Sequence, residues 1–491
     1  MVTSFFPFLI KNPVVSLFLI TFLINLPAVF FSKGYGMHDD HFGPIEQPWE
    51  IINNPKVWEN RTTPHAHSIF YPLIHYLLFK LFYSLSIKDP QDIMLIVRLL
   101  HSLYSILTIV FMYKILKEFY EETIAFCSSF ILALLWFMPF LSVRNLIEMV
   151  CIPPLTIGFY FLVRKNQKPA DIFLVGFFFA LAFAFRYQTF FISGTVFLIF
   201  LFSKKIQKAI KFALSFLLFV FLIQGSVDIF AWGYPLASFF EYVRYNLTHS
   251  GDYVTGPFYR YLLLLIGIFI PPLSFLIIYF FVKKFKEKLL VILPILVFFL
   301  FHSIFPNKQE RFIMPIVPFV FTFGVAELIS RGREIFNHRK REVLYRIFWI
   351  IFWVFNVPLL VLFSFNYGKK SRCEALYYLS KKPDVAGVLQ ITGKIGPFKP
   401  PLFYLNKYGT PVYEIPNVDS LVQFVTKQRK ANYAVIFADE ELDSLKKITE
   451  QILGRNLELE TQIQPSIVDY VLYKLNPRYN KNQVATIFKI Q

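Results

Sequence analysis

Residues 171–205 read DIFLVGFFFALAFAFRYQTFFISGTVFLIFLFSKK. One charge, Arg186, separates two apolar runs, and Lys204 and Lys205 close the second. Apolar runs near 20 residues suit a helix crossing the hydrocarbon of a bilayer. The same alternation of apolar run and short basic cluster recurs along the 491-residue chain, which is 56% hydrophobic and 19% aromatic with 62 Phe. Ordinary globular chains are about 45–50% apolar, so lipid is the solvent this chain is built for. The net charge of +18 falls mostly in the short clusters. It therefore orients the chain and meets anionic lipid, and it does not point to nucleic acid.

Working outward, about eleven spans are predicted. They lie at residues 13–31, 93–116, 122–141, 148–164, 170–186, 187–203, 207–231, 258–282, 287–304, 312–329 and 346–364. The run from Val14 to Phe31 lacks a small-residue cleavage site and reads as an uncleaved first span. Basic clusters at Arg164, Lys165 and Lys168, at Lys204 to Lys211, at Lys283 to Lys288 and at Arg331 to Arg341 read as solvated cytoplasmic loops. Counting back from them places the Lys88 to Asp92 segment on the outer face. With a cytoplasmic N-terminus, the run 69–86 then lies at the interface or re-enters, which suits its Pro72, His75 and Lys80.

The expected architecture is an α-helical polytopic membrane protein. A transmembrane domain at 1–368 carries outer loops 32–68 and 232–257, and a small soluble α/β domain follows at 369–491, also outside. Alternation in Tyr433-Ala-Val-Ile-Phe437 and Val468-Asp-Tyr-Val-Leu-Tyr473 predicts strands in that domain. Cys127, Cys151 and Cys373 offer neither a disulfide framework nor zinc spacing.

The polar clusters gather on the outer face. Asp39 and Asp40 follow the first span directly, where a carboxylate beside lipid can have a raised pKa and act as a general base. A hydrated loop cap, or a metal site with His38 and His41, are the alternatives. Arg144, Asn145 and Glu148 interrupt apolar sequence, where unpaired charge is costly. Arg186 suits either a snorkelling anchor or a phosphate binder. Asp228, Tyr234, Asn246 and Tyr253 suit sugar recognition or an interfacial aromatic belt. Lys308, Glu310 and Arg311 stand before a span, against the usual charge bias for this face, and the two cations fit a phosphate. Two Asn-X-Thr triplets begin at Asn60 and Asn246. No Walker A loop, dinucleotide fingerprint, nucleophile elbow or HExxH occurs, which weakens ATP-driven transport, redox chemistry and proteolysis.

In this order the motifs resemble the GT-C superfamily, and within it glycosyltransferase family 22, over roughly residues 15–330. Asn307-Lys308-Gln309-Glu310-Arg311-Phe312 is similar to the family's His-Lys-Glu-x-Arg-Phe. Asp39-Asp40 resembles its first-loop acidic pair, and Asn145 to Glu148 its Asn-x-x-Glu, with Arg144 displaced from the family's position. Asp228, Tyr234, Asn246, Tyr253 and Gly256 are similar to landmarks of the long outer loop.

The resemblance implies an inverting, mannosyltransferase-like enzyme that takes its sugar from a polyprenyl- or dolichyl-phosphate donor and gives it to a lipid-linked glycan or polysaccharide. Asp39 or Asp40 would be the base, and Lys308, Arg311 and Arg186 would hold the donor phosphate. No cofactor is implied. Asn307 for His and Gln309 for Glu are departures that bear on the choice of sugar. A flippase for lipid-linked sugars or a non-catalytic assembly subunit are the rival readings. The divergent motifs and short soluble domain favour a bacterial inner membrane with a periplasmic site over the endoplasmic reticulum with a lumenal one.

Overall fold

The structure, a computed structural model, describes residues 11–59, 61, 63–283, 285–335, 339–393, 396–477 and 480–491. Asn60 and Thr62 of the first Asn-X-Thr triplet, Lys284, and residues 336–338 of the last basic loop lie outside the described residues.

Six helices among the described residues are long and apolar enough to cross a bilayer: Pro13–Phe31, Pro90–Lys117, Ile206–Trp232, Phe285–Ile304, Glu310–Arg331 and Glu342–Ser364. Arg260–Ile268 and Leu273–Lys283, bent by 117°, make a seventh if they form one broken span. Glu122–Ala133, Ile147–Val163, Asp171–Phe185 and Tyr187–Phe202 are equally apolar in character but shorter. The expected spans thus separate into six or seven of full length and four short helices. Helix Phe70–Ser84 has 15 residues and falls in neither group.

The chain divides into two compact units. The first takes the described part of Met1–Pro27 with Arg61–Ile74 and Arg98–Ser364. Its core is a Phe-rich helical packing, with the Phe159 ring 5.2 Å from Phe179 and 4.9 Å from Phe319. Helix Val317–Ile335 approaches helix Leu273–Lys283 so closely that a Cβ on Gly324 would sit 2.3 Å from the Ile277 carbonyl oxygen. Small residues permit such backbone approach between membrane helices.

Lys168, Lys204, Lys205, Lys208, Lys211, Lys283 and Lys286 of the basic loops are exposed, as expected, and other cations of these loops are paired. Lys288 is buried, with Nζ 3.0 Å from Glu327 Oε2, and Glu327 also pairs with Arg331 and accepts from the Tyr120 hydroxyl at 2.9 Å. Arg164 pairs with buried Asp171. A cation placed among apolar helices keeps its charge by taking a carboxylate with it.

The second unit joins Ala28–Asn60, His75–Val97 and Phe365–Gln491. Its sheet contains β1 (Val388–Ile391), β2 (Val412–Ile415), β3 (Tyr433–Phe437), β4 (Leu457–Ile463) and β5 (Ala485–Ile490) in the order β2-β1-β3-β5-β4. β1 runs parallel to β2 and β3, and β5 runs antiparallel to β3 and β4. The expected strand at 433–437 forms, but without the alternation expected of it: β3 is buried on both faces, and all five residues are apolar or aromatic. Tyr433, Val435 and Phe437 join Tyr35, Phe42 and Trp49 of the first loop in one core, while Ala434 and Ile436 join Leu389 and Phe488 in another.

The expected strand at Val468–Tyr473 is a correction: the segment is a helix, Ile467–Leu475. Ser466 caps it, its hydroxyl accepting from Asp469 N at 3.2 Å, and this local capping overrides the period-2 look of the side chains.

Candidate active site

The acidic pair belongs to the second unit. Lys33 to Gly36 runs beside Gly368, with Gly368 N donating to Lys33 O at 3.0 Å and Tyr35 N to Gly368 O at 3.3 Å. Gly34 has φ +67°, and a Cβ there would lie 2.0 Å from the Gly368 carbonyl oxygen, so only glycine fits. The chain then turns through a 3₁₀ segment, His38–Asp40. Asp39 is exposed, whereas Asp40 is buried and its Oδ2 accepts from Gly36 N at 2.9 Å. His41 stands between the Tyr35 and Tyr404 rings, 4.8 and 5.5 Å away, with Nε2 3.0 Å from Glu46 Oε2. Glu46 also accepts from Phe403 N at 3.1 Å. His41 is thus committed to Glu46 rather than joined with His38 and Asp39 as a metal set.

Two cations near Asp40 escaped the sequence reading. Lys369 follows Gly368 directly. Burial and then the Arg372 guanidinium push its ammonium below the ordinary lysine value, while Asp469 and Asp40 pull it up. Arg372 donates to Lys481 O at 2.5 Å and lies 3.9 Å over the Phe398 ring. Cations just after a span look like ordinary interfacial anchors, so no signal marked them.

The remaining candidates belong to the first unit. Helix Asp171–Phe185 stops at Arg186, whose backbone is extended at φ −147° and ψ 106°. Arg186 Nη1 donates to Glu148 Oε1 at 2.5 Å and Nη2 to Phe312 O at 3.3 Å. Arg311 Nε lies 3.4 Å from the same Glu148 oxygen. Both guanidinium groups flank the Phe312 ring, at 5.2 and 5.6 Å. All three charged groups are buried, so two cations converge on one carboxylate. Among the described residues, buried Arg186 Nε, Asn145 Oδ1, His302 Nε2 and Asn307 Oδ1 have no hydrogen-bond partner. Natural proteins leave few such groups, and at Arg186 a polar ligand would complete the bonding.

Lys308 is only 1% exposed. Its ammonium donates to the His302 and Ser303 carbonyls, each at 2.7 Å, and to Phe305 O, so it closes the C-terminal end of helix Leu289–Ile304. Its backbone N donates to Val254 O at 2.7 Å, and Tyr261 Oη to Gln309 O at 3.1 Å, which ties the outer loop to this turn. Burial lowers the Lys308 pKa, and Arg260 lowers it further. Glu310 faces outward to Arg260 at 2.6 Å.

The other candidates make contacts of their own. Arg144 is buried with its guanidinium 4.4 Å over Phe140. Asp228 accepts from Ser238 Oγ at 2.7 Å and Ser238 N at 3.2 Å, thereby capping helix Ala237–Thr248. Asn246 Nδ2 donates back to Tyr242 O at 2.8 Å. Tyr234 and Tyr253 are half exposed, Tyr253 bonded to the Tyr245 hydroxyl.

A sequence model of the Alg9-like mannosyltransferase family matches residues 16–388. A search of curated proteins finds no match. Among solved structures, ArnT from Cupriavidus metallidurans is similar with a TM-score of 0.63 and 13% identity over 97% of this chain and 98% of that one. ArnT has also been solved with undecaprenyl phosphate. The oligosaccharyltransferase AglB from Archaeoglobus fulgidus, in complex with an inhibitory peptide and a dolichol-phosphate, aligns with a TM-score of 0.52 and 12% identity over 89% of this chain and 71% of that one. The arabinofuranosyltransferase AftD from Mycobacteria gives 0.53 and 11% over 98% of this chain and 40% of that one.

Proposed function

This chain belongs to the Alg9-like mannosyltransferase family and is a multi-pass membrane glycosyltransferase with a GT-C type fold, and from that premise we propose that it moves a sugar, mannose first among candidates, from a polyprenyl-phosphate donor to a lipid-linked glycan or polysaccharide. The observation that carries this reading is the buried meeting of Arg186 and Arg311 on Glu148, with a guanidinium donor of Arg186 still without a partner among the described residues.

In the proposed step an acceptor hydroxyl oxygen attacks the anomeric carbon while the bond from that carbon to the phosphate oxygen breaks. The phosphate leaves with the electron pair, and the hydroxyl proton passes to a carboxylate of the acidic pair. Arg186 and Arg311 stabilise the phosphate as its charge grows, and Lys308 adds positive charge from the turn it braces. Attack opposite the leaving group inverts the anomeric centre. Undecaprenyl phosphate in ArnT and dolichol-phosphate in AglB support a lipid-phosphate ligand of this kind. A periplasmic site at a bacterial inner membrane is the location we propose.

The deciding experiment measures sugar transfer by purified, detergent-solubilised protein from radiolabelled polyprenyl phosphate mannose, glucose and arabinose to a lipid extract. Transfer by wild type and none by Asp39→Asn/Asp40→Asn is expected. Equal transfer by both proteins overturns the base assignment, and no transfer from any donor overturns the reaction.

A further inference from the structure

Helix Ile467–Leu475 presents Ile467, Tyr470, Val471 and Leu475 outward, at 73%, 47%, 47% and 77% exposure, while Val468 and Asp469 face the second unit. These positions fall at i, i+3, i+4 and i+8 on one face of the helix, which exposed Lys474 at i+7 shares.

What covers the face follows from where the helix is tied. Ser466, its cap, donates from Oγ to Asn366 Oδ1 at 2.8 Å. Asn366 stands two residues after the span Glu342–Ser364, and its carbonyl accepts from Ser32 Oγ at 3.1 Å, one residue after the span Pro13–Phe31. Asp469 accepts from Lys370 N at 3.3 Å. Beside these ties the Phe31 and Phe365 rings stack at 4.9 Å, and both are about half exposed, as residues at the lipid-facing end of a span would be. The N-terminus of the helix is therefore pinned within a few residues of the points where two spans leave the bilayer. At that depth an apolar face meets the boundary between head groups and acyl chains. Tyr470 and Tyr473 are residues favoured there, and Lys474, whose ammonium lies 5.4 Å over the Tyr470 ring, has the reach to snorkel to lipid phosphate.

We propose that helix Ile467–Leu475 is an in-plane membrane anchor that inserts its apolar face into the lipid interface. An amphipathic segment of this kind binds through buried apolar area and through attraction of its basic residues to anionic lipid. The anchor would hold the second unit, and with it the turn carrying Asp39 and Asp40, at the depth of a membrane-borne acceptor.

The test uses the full chain in lipid nanodiscs, in a Cys127→Ser background, with a nitroxide attached at Ile467→Cys, Val471→Cys or Leu475→Cys and, as a water-exposed control on helix Leu442–Leu453, at Gln451→Cys. Collisions with oxygen, which concentrates in the bilayer, and with a water-soluble nickel chelate report depth. The expected result is an oxygen-to-nickel collision ratio several-fold higher at the three helix sites than at Gln451→Cys. A ratio equal to the control's would show the face in water and overturn the anchor. Protection from both reagents would show another protein surface on it, and would overturn the anchor equally.

Discussion

Asp39 and Asp40 are neighbours in sequence but not in environment. Asp40 is buried with an oxygen held by the Gly36 N–H, whereas Asp39 is exposed, as the proposed base must be to reach an acceptor. Asp39→Asn is therefore expected to lower kcat by about 10²–10⁴-fold, the usual worth of a positioned base, with an unchanged melting temperature. Asp40→Asn keeps an acceptor for Gly36 and should lower kcat less. A reversed order in a transfer assay would move the base to Asp40. At Glu148, substitution by Gln leaves two buried guanidinium groups without their shared carboxylate. A loss of about 3–5 kcal/mol is expected from breaking such a buried set, read by unfolding in detergent. Added polyprenyl phosphate should recover part of it, since a ligand that binds only the folded protein stabilises it. These residues were legible because charge amid apolar sequence is costly and so stands out. Lys369 and Arg372 were not, because their nearness to Asp40 depends on Gly34 meeting Gly368 across the length of the chain.

Lys308 belongs to the scale of the element. Its three donations to the end of helix Leu289–Ile304 were invisible in sequence, since capping depends on backbone geometry. Lys308→Met should cost about 1–3 kcal/mol by leaving those carbonyls without their donor. Arg311→Lys, which keeps the charge and loses the planar fork, should instead raise the donor KM with little change in melting temperature. Parallel thermal and kinetic measurements separate the two, and a Lys308→Met protein as stable as wild type would contradict the capping role. Gly324→Ala puts a methyl into the Ile277 backbone, whereas a Cβ on Gly267 meets nothing within 4 Å. The first is expected to destabilise by about 1–3 kcal/mol and the second hardly at all. Helix existence was readable from hydropathy, but the short helices and the bend between Ile268 and Leu273 were not. Apolar length alone does not say where a helix breaks. The misread strand at 468–473 has another source: a helix of nine residues is too short for its 3.6-residue pattern to stand out from an alternating one.

At the scale of the molecule, the second unit is built from three stretches of chain. Asn406 Nδ2 donates to Lys88 O at 3.0 Å, and Asp89 accepts from the Tyr377 hydroxyl at 3.0 Å and from Lys381. Lys33, Lys88 and Lys370 are therefore expected on one side of the membrane. Cysteines at these three positions, in sealed vesicles, should all react with an impermeant maleimide from that side; one reacting from the other side would refute the arrangement. Sequence placed the loops by charge but had no means to show that they and the C-terminal sheet share a core, because such contacts carry no local pattern. That shared core sets an order in time. About 270 residues separate Val97 from Phe365, and at about 5–20 residues per second of synthesis the stretch carrying Tyr35, Phe42 and Trp49 waits on the order of tens of seconds for the strands it packs against. The acidic turn is thus completed only after the last span has been threaded, and a chain released early carries its carboxylates without the scaffold that aims them.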